Sequence, residues 1–133
     1  MKIIIDTNLW ISFLIGKRTQ QLRELFLRQN VHICICEEMI SEILDVASRP
    51  KLKKYISNND ITDLLNVIYT YCELYTIKKH SDLPVRDPKD LYILSLAETI
   101  PADTIISGDK DLLELDTNGR YNITTLVGFM SDI

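Results

Sequence analysis

Four carboxylates, Asp6, Glu42, Asp90 and Asp109, stand where alternating strands and helices would gather them at one end of a sheet. Asp6 follows the apolar run Ile3-Ile4-Ile5, and Asp109 follows Thr104-Ile105-Ile106-Ser107-Gly108. In an open parallel sheet, ligands bind beyond the carboxyl ends of the strands. Acids collected there raise one another's pKa and cannot all stay ionised without a cation. A hard divalent metal with oxygen ligands resolves that conflict. Metal-assisted phosphoryl chemistry is therefore the leading expectation.

Each acid also has an ordinary explanation. Asp6 could cap the helix that follows its strand. Glu42, in Met39-Ile40-Ser41-Glu42-Ile43-Leu44, falls at the edge of an apolar arc, which suits a boundary glutamate as well as a half-buried ligand. Asp90 precedes Ile93 and Leu94 by three and four residues and so shares their face. A carboxylate on a core-facing stripe is costly unless it is paired or metal-bound. Asp87, marked by Pro88, is the better helix cap. Asp109 could cap a short helix, with Asp111 just beyond Lys110. All four at the same end of one sheet are harder to explain as caps.

The elements that must position these acids follow from hydrophobic period and from punctuation. Residues 2–5 read as a buried strand, and Asn8 to Ile15 as the helix leaving it. Gly16-Lys17-Arg18 breaks that helix, and Leu22, Leu25 and Phe26 mark a second. Val31 to Cys36 is a strand. Glu37 to Ser48 is a helix stopped by Pro50. Ser57 to Asp60 offers caps for a helix carrying Ile61, Leu64, Leu65, Ile68 and Cys72. Leu74 to Ile77 reads as a third strand, and Lys78 to Arg86 as a polar loop. A helix opens at Asp87-Pro88 and runs to about Glu98. Strand 104–107, a short helix to Leu115, a turn-rich loop over 116–120, strand 121–125 and a half-turn at Val127 to Met130 complete the chain. The order predicts an α/β fold of residues 1–133 as one domain, its sheet mostly parallel and covered by helices on both faces.

Composition narrows the function. Hydrophobic residues make up 46% of the chain, enough for a core without staples. Cys34, Cys36 and Cys72 lack paired spacing and read as reduced thiols. No apolar run spans a membrane, and the acid at position 6 comes too early for a signal peptide, so a cytoplasmic protein is expected. The net charge of −4 argues against wholesale nucleic-acid binding. The bases are clumped, however, at Lys17-Arg18, at Arg49, Lys51, Lys53 and Lys54, at Lys78-Lys79, and at Arg86 and Lys89. Solvated loops would explain them as well as phosphate contacts. His32 and His80 have no partner at ligand spacing and receive no catalytic role. Trp10 reads as core.

With these residues in view, the chain resembles the PIN-domain nucleases over nearly its whole length. It looks closest to the VapC-like toxin components of toxin–antitoxin systems. The matching pieces are Asp6-Thr7-Asn8, then Ser41-Glu42-Ile43-Leu44 running into Arg49-Pro50-Lys51-Leu52, then Arg86-Asp87-Pro88-Lys89-Asp90, and Ser107-Gly108-Asp109-Lys110-Asp111-Leu112-Leu113. The resemblance implies a three-layer α/β/α sandwich and a Mg²⁺- or Mn²⁺-dependent endoribonuclease. Its acidic ligands fall on Asp6, Glu42, Asp90 and Asp109, with Asp111 as a further acid. Asn8 and Ser107 match supporting polar positions, and Asp87 supports the helix start. Ile100-Pro101-Ala102-Asp103 departs from the family's small, Gly-containing turn. One metal, or a pair, would activate water and stabilise the leaving oxygen. Arg49, Lys51, Lys53 and Lys54, or Arg86, Lys89 and Lys110, would hold flanking phosphates. The partners expected are RNA, a cognate antitoxin protein and a second copy in a homodimer, with no membrane. A haloacid-dehalogenase-like phosphatase is an alternative, but it wants a second Asp where this chain has Asn8. A non-catalytic RNA-binding PIN-like domain is the other, and the intact acids weigh against it.

Overall fold

Ile3, Ile4 and Ile5 are each no more than 1% exposed, and a strand buried on both faces belongs in the middle of a parallel sheet. A computed structural model, which describes residues 1–16 and 19–132, puts them there. The five strands are β1 (Lys2–Ile5), β2 (His32–Ile35), β3 (Glu73–Leu74), β4 (Thr104–Ile106) and β5 (Asn122–Thr124). They lie in the order β3-β2-β1-β4-β5, and every pairing is parallel. The register sets Ile3 beside Ile33 on one side and Ile4 beside Ile105 on the other.

Seven helices cover the sheet among the described residues: α1 (Thr7–Gly16), α2 (Thr19–Leu27), α3 (Glu37–Ala47), α4 (Asn58–Tyr71), α5 (Leu91–Thr99), α6 (Lys110–Leu113) and α7 (Leu126–Asp132). Parallel crossovers are right-handed, so the direction of travel decides the face. The chain moves outward from β1 through β2 to β3, which puts α1 to α4 on one face, and α1 packs against α2, α3 and α4. It then crosses back to β4 and on to β5, which puts α5 and α6 on the other. This is the expected sandwich, with all strands parallel.

Trp10 is fully buried, as expected of a core residue, and its indole N–H donates to the Ile5 carbonyl at 3.0 Å. Helix α4 starts with a capping box: the Asp60 amide donates to the Ser57 hydroxyl, and the Ser57 amide donates to the Asp60 carboxylate. Three elements differ from the sequence expectation, one of them the half-turn expected at Val127 to Met130, which is the seven-residue helix α7. The third strand ends at Leu74 rather than Ile77, because β2 stops at Ile35 and offers nothing further once Tyr75 N–H has reached its carbonyl. The amides of Lys78 and Lys79 turn instead to the Thr99 hydroxyl. The helix after Pro88 begins with a 3₁₀ turn, Pro88–Asp90, before α5 proper. Lys17 and Arg18, expected as a break and a basic pair, lie outside the described residues.

Candidate active site

Strand order reverses at β1, because the chain leaves it toward β2 and later returns on its other side as β4. The crevice beyond the carboxyl ends of β1 and β4 is the topological switch point, where this class of sheet binds ligands. Asp6 directly follows β1 and Ser107 directly follows β4. The Asp6 amide donates to the Ile106 carbonyl at 2.9 Å, which locks the two strand ends together.

One hydroxyl joins two of the acids. Ser107 Oγ, fully buried, donates to Asp6 Oδ2 at 2.8 Å and accepts from the Asp109 amide at 3.0 Å. Asp6 is only 4% exposed. Burial pushes its carboxyl above the ordinary range. The hydrogen bonds from Ser107 and the Thr7 amide pull it back, and the charges of Asp109 and Glu42 push it up again. Asp109 also caps α6, its Oδ1 accepting from the Asp111 amide at 2.9 Å. The cap and a ligand role are compatible, since an ionised carboxylate has about four lone-pair sites.

Asp90 closes the 3₁₀ turn before α5 and is half-buried. Burial, then the charges of Asp109, Asp6, Asp87 and Glu42, push its carboxyl up to about 6. Glu42 is half-buried on the second turn of α3. Asp6 and Asp90 therefore both feel the charges of Glu42 and Asp109. No ion pair among the described residues reaches any of them. α1, α3 and α6 start just beyond the carboxyl ends of β1, β2 and β4, so their positive termini lie at the end of the sheet that carries the acids.

The donor set is oxygen alone, which suits a hard divalent cation. Among the described residues, no three His, Cys, Asp or Glu side chains already converge at ligating distance. An oxygen-only donor set is what Mg²⁺ takes, with one or two carboxylates, several waters and substrate phosphate rather than an all-protein cage. It does not fit a closed structural zinc site.

The other sequence candidates fall into place around this centre. Asp87 is exposed and caps the turn, its Oδ1 accepting from the Lys89 amide at 3.0 Å. Asn8 is exposed on the first turn of α1. Asp111 is exposed and paired with Arg86 at 3.5 Å. Lys89 and Lys110, both exposed, adjoin Asp90 and Asp109 in sequence. Arg49, Lys51, Lys53 and Lys54 lie past the far end of α3, seven residues or about 10 Å of helix beyond Glu42. His32 pairs with Glu73 at 2.8 Å, near the opposite end of the strands. Burial pushes the thiol of Cys36 up to about 11 and those of Cys34 and Cys72 up to about 12, so none is a nucleophile at neutral pH.

Sequence reasoning missed Thr7 and Tyr92. Thr7 Oγ1 and the Tyr92 hydroxyl lie 2.9 Å apart. Burial raises the Tyr92 phenol, and the charges of Glu42 and Asp6 add to the effect. The available signal was a phenol inside the aliphatic run Leu91-Tyr92-Ile93-Leu94, since a buried tyrosine hydroxyl needs a partner. A cleft of about 540 Å³ between α1, α2 and α4, lined by Phe13, Leu22, Phe26, Leu64 and Tyr71, contains none of the four acids. Its size does not make it the chemical centre, because its walls are mostly apolar.

Comparison with known proteins agrees with this fold. A family model described as PIN domain matches residues 2–111. An uncharacterized protein of Methanocaldococcus jannaschii is 28% identical over 125 residues, covering 91% of this chain and 79% of its own length. Among solved structures, VapBC2 from Rickettsia felis, bound to a DNA fragment from its promoter, aligns with a TM-score of 0.63 at 17% identity, over 92% of this chain and 97% of that one. The PIN domain of human SMG5 aligns with a TM-score of 0.56 at 11% identity, over 99% and 98% of the two chains. The PIN domain of RRP44 from T. brucei aligns at 0.51 with 13% identity, over 98% and 79%.

Proposed function

The chain belongs to the PIN-domain family, and from that premise we propose that it is a Mg²⁺- or Mn²⁺-dependent endoribonuclease that hydrolyses RNA phosphodiester bonds. The observation that carries the reading is the cluster at the switch point: Ser107 ties Asp6 to Asp109, the charges of Glu42 and Asp109 reach Asp6 and Asp90, and no ion pair among the described residues reaches any of the four. Asp6 and Asp109 would be the principal holders of the ion, with Glu42 and Asp90 contributing directly or through water and Asp111 as a further acid. Bound there, the ion supplies activation of the attacking water and neutralisation of the leaving oxygen.

The chain's own residues do the remaining work. Ser107 fixes Asp6 Oδ2 and the Asp109 backbone, so the two strand-end acids keep one geometry. Burial keeps bulk water from solvating Asp6 in place of the ion. Arg86, Lys89 and Lys110 on the rim take phosphates flanking the scissile bond, contacts that are blind to sequence. We assign the whole of residues 1–133 to one cytoplasmic domain, the toxin of a toxin–antitoxin pair with an antitoxin protein as partner. The alignment with VapBC2 supports that role.

The test is cleavage of mixed RNAs by purified protein with Mg²⁺, Mn²⁺ or EDTA. Cleavage that needs metal and vanishes in Asp6→Asn supports the reading. Cleavage unaffected by EDTA refutes it. For the toxin role, co-expression with the product of the adjacent reading frame should give a stable complex that suppresses cleavage. Free, fully active enzyme after co-expression would remove that role.

A further inference from the structure

Thr7 and Tyr92 are 85 residues apart in sequence, yet their hydroxyls meet at 2.9 Å beside the acids. Thr7 is 1% exposed and directly follows Asp6. Tyr92 lies on the first turn of α5, two residues past Asp90. Their bond is the one side-chain hydrogen bond among the described residues that ties the start of α5 to the end of β1. Without it, the turn carrying Asp90 and the strand carrying Asp6 are held together near the acids only by packing and charge, and the charges repel. We propose that the Thr7–Tyr92 hydroxyl pair is a positioning device that sets the span between Asp6 and Asp90 and so tightens the grip of the acidic centre on a divalent cation. This rests on the metal-dependent reading above.

The test is Mn²⁺ binding by calorimetry, with no RNA present. Tyr92→Phe keeps the ring packing and removes the hydroxyl. It should weaken Mn²⁺ affinity about tenfold, the size of one lost hydrogen bond, alongside a modest fall in the melting temperature of the metal-free protein from the Thr7 hydroxyl left buried without its partner. Thr7→Val should weaken it equally, Thr7→Ser should restore it, and the double variant should be no worse than either single. A pair that merely supported the fold would lower melting and leave affinity alone, and wild-type affinity in Tyr92→Phe overturns the proposal. Wild-type protein that binds no Mn²⁺ sensitive to Asp6→Asn would instead remove the function reading itself, and the pair's role with it.

Discussion

The two ends of the sheet treat acidic side chains in opposite ways. Around the amino ends of the strands, Asp103, Asp82, Glu98 and Glu73 each have a partner. Asp103 accepts from the Lys2 amide at 2.8 Å, and Arg120 bonds Asp82 at 2.8 Å and Glu98 at 3.1 Å. Glu98 also takes the Ser81 hydroxyl, and Glu73 takes His32 at 2.8 Å and the Tyr75 hydroxyl at 3.0 Å. The Arg120 guanidinium holds the Asp82 carboxyl below its ordinary range. At the carboxyl ends, Asp6 and Asp90 are pushed up by burial and by one another's neighbours. The same residue types serve as clasps at one end and as stored repulsion at the other. A fold keeps uncompensated acids together at a cost in stability, and sites where that occurs are where function concentrates.

Substitution breaks or sharpens the contrast most strongly through activity. Asp6→Asn and Asp109→Asn should each lower RNA cleavage by about a thousandfold, the scale of a lost preorganised electrostatic group, in protein that still melts cooperatively. Glu98→Gln, at the other end, should cleave like wild type and melt lower. Equal activity losses at both ends would mean that the acids differ only in location.

Metal should act at one end alone. At a hundredfold excess over its dissociation constant, Mn²⁺ adds about 2.7 kcal/mol, or on the order of ten degrees of melting temperature. That increment should collapse in Asp6→Asn and persist in Glu98→Gln. Persistence in both would sink the assignment of the ion to the carboxyl ends.

A smaller effect should separate the basic residues. Arg86→Glu with Lys89→Glu should weaken RNA binding about tenfold and lower its salt slope by about one per lost phosphate contact. Arg49→Glu with Lys51→Glu, past the far end of α3, should do less. The reverse ranking, measured by filter binding across salt concentrations, would put the RNA path over α3 instead.

The mildest expectation is a pair of opposed pH slopes in EDTA. Asp90 has a raised folded pKa of about 6. The folded state thus binds its proton more tightly than the unfolded state, and that stabilisation is lost as pH rises from about 4 through 6. Asp82 has a lowered folded pKa. Its contribution is present above the unfolded value and lost as pH falls. Asp90→Asn should therefore remove a falling component of the melting profile, and Asp82→Asn a rising one. An unchanged profile in Asp90→Asn would show that the site acids are already compensated.

The contrast also explains what the sequence could reveal. Asp6 and Asp109 were legible because each follows an apolar run that must be a strand. Asp90 was legible because Pro88 fixes where its helix starts. The parallel order followed from strands and helices alternating. The length of β3 did not, because it depends on where β2 stops offering carbonyls. Arg120 clasping Asp82 and Glu98, and Thr7 meeting Tyr92, join positions tens of residues apart. Local period carries no trace of such pairs.

The placement of β1 between β2 and β4 has a consequence for synthesis. The bond from Ser107 to Asp6 closes a span of 101 residues. A ribosome adding roughly 5–20 residues per second leaves the Ile-rich first strand waiting on the order of ten seconds for its second neighbour. During that interval one edge of β1 is open to other strands, while Asp6 and Asp109 have not yet met. The acids are therefore assembled only after most of the apolar surface has been sequestered. A nascent chain halted before Thr104 should retain no Mn²⁺, because neither Ser107 nor Asp109 is yet present to complete the acidic cluster.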